Sequence, residues 1–209
     1  MKLHASNTQL EELIQELLNQ MTSISETRRT QLDSLVEAIK TDISSFEKAK
    51  VMMICTHNSR RSQLGEIWIN TLADYYKKTT IEAFSGGTEA TAFHPNMVKA
   101  LSLVGFEFQQ ITEEENPKYK LTSLNDEAYA NLLFSKRFEN KFNPQKNFIA
   151  VMVCSQADGG CPFVPGSSHR ISLTYEDPKV YDKQPNAIEK YKAKIYEVGR
   201  EMLYVFSKL

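Results

Sequence analysis

Val51-Met52-Met53-Ile54-Cys55-Thr56-His57-Asn58-Ser59-Arg60-Arg61-Ser62 is the stretch on which the fold turns. A short apolar run ends at a cysteine, as a strand buried on both faces would. Polar residues 56–62 follow. Leu64, Ile67, Trp68, Thr71, Leu72 and Tyr75 then recur at helical spacing, on one side of a predicted helix. A strand that feeds a polar loop opening into a helix is a building unit of α/β folds.

Downstream the same alternation continues. Residues 81–85 read as a second strand closed by Gly86-Gly87, and a helix is expected from about Pro95 to Val104, ending at Gly105. Residues 106–111 form a third strand candidate, residues 148–154 are the clearest buried strand, and residues 171–175 are another. The last helix starts near Pro185 and carries Ile188, Tyr191, Ile195, Val198, Met202 and Val205 on one face. This pattern predicts an α/β class: a central parallel sheet with helices on both faces. Residues 113–147, with the acidic run Glu113-Glu114-Glu115 and Pro117, break the rhythm and predict an inserted β-hairpin or lid.

Upstream, Leu10, Leu13, Ile14, Leu17, Leu18 and Met21 form one apolar stripe, and Leu32, Leu35, Val36, Ile39, Ile43 and Phe46 a second. Thr8 with Glu11, and Ser23 with Glu26, have the spacing of capping boxes. The chain therefore divides into an N-terminal helical hairpin, 1–47, and an α/β domain, 48–209. A two-helix hairpin buries little by itself. Its apolar faces call for cover, by the main domain or by a second copy in a homodimer.

With 209 residues and a 41% hydrophobic share, the chain is long enough for one domain with a sizeable core. Lys and Arg number 25 against 26 Asp and Glu, a balance that argues against nucleic-acid or membrane-surface partners. No apolar run reaches the roughly 18 residues that span a bilayer. The N-terminal residues lack the apolar centre of a signal peptide, so a cytoplasmic location is expected. The three cysteines are then not a disulfide framework, since the cytosol keeps thiols reduced. They are buried hydrophobes, metal ligands or reactive thiols.

The 55–62 loop has the chemistry to hold a tetrahedral oxyanion such as arsenate or phosphate. Backbone N–H groups of Thr56, His57, Asn58, Ser59, Arg60 and Arg61 can converge on an anion, and the following helix points its positive end there. The same field favours a nucleophilic thiolate at Cys55. Arg61 offers a two-pronged donor matched to two oxygens, and Ser62 can hydrogen-bond the Cys55 sulfur. Asp177-Pro178, past the last strand, is an ordinary turn signal when taken alone. Cys154 and Cys161 enclose a polar stretch ending in Gly159-Gly160. Zinc explains them poorly, because Cys-x6-Cys lacks zinc-site spacing and no second ligand pair accompanies it. Two inert thiols, or a pair that meets when the segment rearranges, both remain open.

The loop resembles that of the low-molecular-weight protein tyrosine phosphatases and of the thioredoxin-coupled arsenate reductases built on the same fold. Cys55-Thr56-x-Asn58-Ser59-x-Arg61-Ser62-Gln63, continuing to Glu66 and Trp68, is nearer to the reductases. The likeness spans about residues 49–112 and 147–207, leaving out the N-terminal helices and the insertion. By that resemblance Asp177 is the general acid, and Cys154 and Cys161 are resolving cysteines of a relay that thioredoxin regenerates. No bound organic cofactor is implied. A potassium ion beside the loop is, with Asn58, Glu66 and Ser85 at ligand positions. Two positions depart from the pattern: His57 stands where both families usually carry glycine, and Arg60 where a cysteine is usual. The other readings are a phosphatase using Cys55, Arg61 and Asp177 alone, and a non-catalytic oxyanion or redox sensor.

Overall fold

A computed structural model describes residues 8–123, 132–160 and 163–209. Cys161 and residues 124–131 lie outside the described residues. Four strands form an all-parallel sheet: β1 (Ala49–Cys55), β2 (Ile81–Gly87), β5 (Phe148–Met152) and β6 (Ser167–Ser172). Their order is β2-β1-β5-β6. Residues 51–55 of β1 and all of β5 are buried, as expected of central strands covered on both faces by helices. The expected α/β class is the one adopted.

Helix α3 (Arg61–Tyr75) packs on β1, β2 and α6 (Ala187–Phe206). Residues 62–75 are all buried, so α3 is enclosed on every side rather than along one stripe. Trp68 is fully buried at its centre, donates its indole N–H to the Ile195 carbonyl at 3.0 Å, and meets Phe106 edge-on at 5.2 Å. A short helix, α4 (Pro95–Ser102), is capped by His94 and also packs on α6.

The N-terminal helices α1 (Thr8–Asn19) and α2 (Glu26–Phe46) do not stand apart. Leu10, Leu13, Ile14 and Leu17 of α1 are buried against α6, and α2 packs on α6, β1, β5 and β6. Each such side chain contributes about 1.5–3 kcal/mol by leaving water, without which a helix of this length is marginal. The cap of α2 is Ser25, whose Oγ accepts from the Arg28 N–H at 3.2 Å; Ser23 lies in a preceding 3-10 turn and donates to the Gln20 carbonyl instead.

Three expected elements differ. Residues 106–111 do not join the parallel sheet. Phe108–Gln110 (β3) pairs antiparallel with Tyr119–Leu121 (β4), a ribbon in which only Leu121 is buried and the rest are half-exposed or exposed, as suits one covered face. The last strand, β6, begins earlier than residue 171, because its polar sequence belongs to a half-exposed sheet edge. The stretch after Cys154 forms a short helix, α5 (Ser155–Gly160), which its two glycines did not suggest.

Candidate oxyanion site at the carboxyl end of β1

The sheet delivers Cys55 to the end of β1 and α3 starts six residues later, so the intervening chain curls back over the sulfur. Cys55 Sγ accepts from the Asn58 N–H at 3.2 Å and lies 3.1 Å from Ser62 Oγ. Asn58 has φ 46°, in the left-handed region that asparagine tolerates better than most residues. Positive φ in the loop therefore falls at Asn58, and His57 does not suffer the strain that a glycine-requiring position would impose. The His57 ring stays half-exposed, 3.5 Å from Glu89.

Asn58 is the knot of the loop. Its amide Nδ2 donates to Ser62 Oγ and to Ser85 Oγ, each at 2.8 Å, while its Oδ1 accepts from the Lys136 N–H at 2.9 Å. Gly87, at the end of β2, lies so close that a Cβ there would meet the Thr56 carbonyl at 2.6 Å and the Asn58 nitrogen at 2.8 Å. Only glycine admits that approach.

The two arginines take different partners. Arg61 donates to Asp177 Oδ2 at 2.5 Å and to the Tyr175 carbonyl at 2.9 Å. Asp177 Oδ1 accepts from the Lys179 N–H at 3.0 Å, which leaves the other carboxylate oxygen facing Arg61. Arg60 does not point to solvent. Its side chain is only 10% exposed, donating to Asp182 Oδ2 and Tyr191 Oη at 2.5 Å each. His94 stacks on Tyr191 and completes this cluster. Burial, then repulsion from Arg60, lowers the His94 pKa against the pull of Asp182 and Asp177. Burial and the hydrogen bond to Asp182 push that of Tyr191 up. The sequence reading missed this cluster because Tyr191 sits on the apolar stripe of α6, where it reads as core.

Cys55, His57, Ser59, Arg60, Arg61 and Asp177 line a cleft of about 10 Å³, room for about one water. Beside it runs a groove of about 540 Å³ that holds His57, Arg61, Asp177 and also Cys154. Cys154 is buried. Its Sγ lies 3.5 Å from Thr56 Oγ1 in the loop and accepts from the Ala157 N–H at 3.4 Å. Of the residues singled out in the sequence, His57, Arg61, Cys154 and Asp177 line this groove, while Cys55, Ser59 and Arg60 line the adjoining cleft with His57, Arg61 and Asp177. Cys161 lies outside the described residues.

Asn58, Glu66 and Ser85 do not fit a potassium ion. The Asn58 and Ser85 side-chain oxygens already accept hydrogen bonds, and the Lys136 ammonium, 3.9 Å from Glu66 Oε2, brings a positive charge of its own. Among the described residues no helix is long and apolar enough to cross a membrane.

No protein-family model matches the chain. Curated relatives do. An "Arsenate reductase 2" of Staphylococcus haemolyticus is 27% identical over 159 residues, covering 71% of this chain and 100% of the relative. An "Arsenate reductase" of Bacillus cereus is 28% identical over 131 residues, covering 63% of this chain and 78% of the relative. Among solved structures, one described as an arsenate reductase in the phosphate binding state covers 77% of this chain and 98% of its own, at 20% identity and a TM-score of 0.49. A low-molecular-weight protein tyrosine phosphatase from T. tengcongensis covers 78% and 100%, at 17% identity and a TM-score of 0.46. The likeness to arsenate reductases carried by the loop is thereby borne out: over most of its length this chain is similar to bacterial arsenate reductases.

Proposed function

We propose that the protein reduces arsenate to arsenite by a cysteine relay that thioredoxin regenerates. One observation carries this reading: a second buried thiol, Cys154, lines the same groove as Arg61 and Asp177 and touches the loop through Thr56. Hydrolysis of a phosphate ester has no use for that thiol.

The steps follow from the groups present. An arriving arsenate replaces Asp177 as the acceptor for Arg61, opening the narrow cleft, and loop N–H groups take its remaining oxygens. The Cys55 sulfur bonds to arsenic as an arsenate oxygen leaves as water, the proton coming from the carboxyl of Asp177. Ser62, in contact with the sulfur, steadies its negative charge. Cys154 then attacks Cys55 Sγ. The Cys55–Cys154 bond forms, the sulfur–arsenic pair of electrons stays on arsenic, and arsenite departs. Cys161 attacks Cys154 Sγ, releasing Cys55 as thiolate and leaving Cys154–Cys161 for the thioredoxin dithiol to reduce.

This relay requires α5 to unwind. A Cβ at Gly159 or Gly160 would meet nothing within 4 Å, so packing does not demand glycine at either place. What glycine adds there is backbone freedom.

The test is a steady-state assay with arsenate and a thioredoxin system, run beside hydrolysis of para-nitrophenyl phosphate on the same preparation. Arsenate-dependent, thioredoxin-dependent turnover is expected to dominate. Ester hydrolysis alone would favour the phosphatase reading, and neither activity would favour the sensor.

A further inference from the structure

We infer that the ammonium of Lys136 is a built-in cation that positions the oxyanion loop, replacing a dissociable monovalent ion. Lys136 and Glu66 are buried, with side chains 3% and 1% exposed, and their charged atoms lie 3.9 Å apart. The ammonium also sits 4.9 Å from the centre of the Phe134 ring, a further favourable contact for a cation. An ammonium out of water is tolerated only with such compensation, and the attraction between the two charges is stronger there than at the surface.

The placement of Lys136 gives that charge a purpose. Its backbone N–H holds Asn58 Oδ1 at 2.9 Å, and its carbonyl accepts from the Gly87 N–H at 2.9 Å. The preceding residue, Ser135, donates to the His57 carbonyl at 2.8 Å and accepts from the Thr91 N–H at 2.7 Å. Asn58 in turn holds Ser62, which contacts the Cys55 sulfur. Lys136 thus connects Glu66 on α3 with the loop through its own backbone. It acts through other groups and is a positioning residue.

Lys136 belongs to residues 113–147, the insertion that the loop's sequence likeness leaves out. An ammonium is close in size and equal in charge to a potassium ion, but held covalently it cannot dissociate. Loop order should therefore be independent of the cation in solution.

The experiment measures melting of the wild type, Lys136→Ala and Lys136→Met in potassium chloride and in tetramethylammonium chloride at equal ionic strength, without oxyanion. The wild type is expected to melt at the same temperature in both salts. The Ala variant should melt on the order of 10 °C lower in the bulky salt. Potassium or methylammonium, able to enter the vacated space, should restore part of that loss in the Ala variant and less in the Met variant, whose side chain fills the space. Phosphate affinity of the Ala variant should fall and recover with the same cations. Potassium-specific stabilisation of the wild type would overturn the inference. So would a loss in the Ala variant that no cation relieves. If neither variant folds, the wild-type comparison still decides. The inference rests on the anion-site reading only for its phosphate arm; wild type that binds no phosphate would sink that reading and leave the melting result to stand.

Discussion

Cys154→Ser is expected to abolish multiple-turnover arsenate reduction while sparing any slow hydrolysis of para-nitrophenyl phosphate. A serine hydroxyl at this place is neither a competent attacking anion nor able to form the sulfur–sulfur bond that takes two electrons from the substrate. The fold should tolerate the change. The site is buried, but Thr56 Oγ1 and the Ala157 N–H are at hand as hydrogen-bond partners for a hydroxyl. The cost should be within about 1 kcal/mol, in the ordinary range for a conservative substitution. Ester hydrolysis needs Cys55, Arg61 and Asp177, none of which the change touches. Reductant consumption per arsenate in a thioredoxin system measures the first activity, and p-nitrophenolate release the second. Full reductive turnover by the variant would remove Cys154 from the relay.

Arg61→Lys should lower turnover by about 10²–10³-fold, the loss typical of removing an oriented donor from a developing oxyanion. A lysine could still meet Asp177, but an ammonium cannot present paired, coplanar N–H groups to Asp177 and the Tyr175 carbonyl now and to two anion oxygens later. Arg60→Ala is the informative comparison. It removes the guanidinium partner of Asp182, whose side chain is 22% exposed and keeps the Tyr191 hydroxyl and nearby His94, so the penalty should be about 2–3 kcal/mol, below the full cost of breaking a buried pair. The melting temperature should fall by about 5–10 °C. Phosphate titration should separate the two: Arg61→Lys loses affinity chiefly, Arg60→Ala stability chiefly. A greater loss of affinity from Arg60→Ala would mean that the binding arginine is misassigned.

The sequence made the scaffold legible wherever burial was two-sided. The runs ending at Cys55 and Cys154 read as buried strands and lie centrally in the sheet. The helix stripes of α1, α2 and α6 marked faces that are largely buried, except that Phe46 at the end of α2 is exposed. It failed where one face is solvated. β6 carries polar residues, and β3 pairs with an insertion strand rather than the sheet, since short alternating stretches do not reveal their partner. Cys55 and Arg61 were legible through one local pattern, and Cys154 and Asp177, two residues far along the chain, are brought beside them by the fold. Nothing in the local sequence marked Arg60 as buried, because its partners Asp182 and Tyr191 are over 120 residues away. Lys136 gave no signal at all. A lone lysine in a polar insertion reads as solvated, and only the tertiary fold shows it beneath the loop.

The central claim is that electrons pass from Cys55 and Cys154 to arsenate, with Cys161 resolving the product. Cys161→Ser removes the last step and should stop the relay with its intermediate intact. The protein is reduced, freed of reductant, given arsenate for one turnover, alkylated and digested under non-reducing conditions. The account predicts a cross-linked pair of peptides joined through Cys55 and Cys154, with one arsenite released per cross-link. Arsenite formed while both cysteines are recovered alkylated would contradict it.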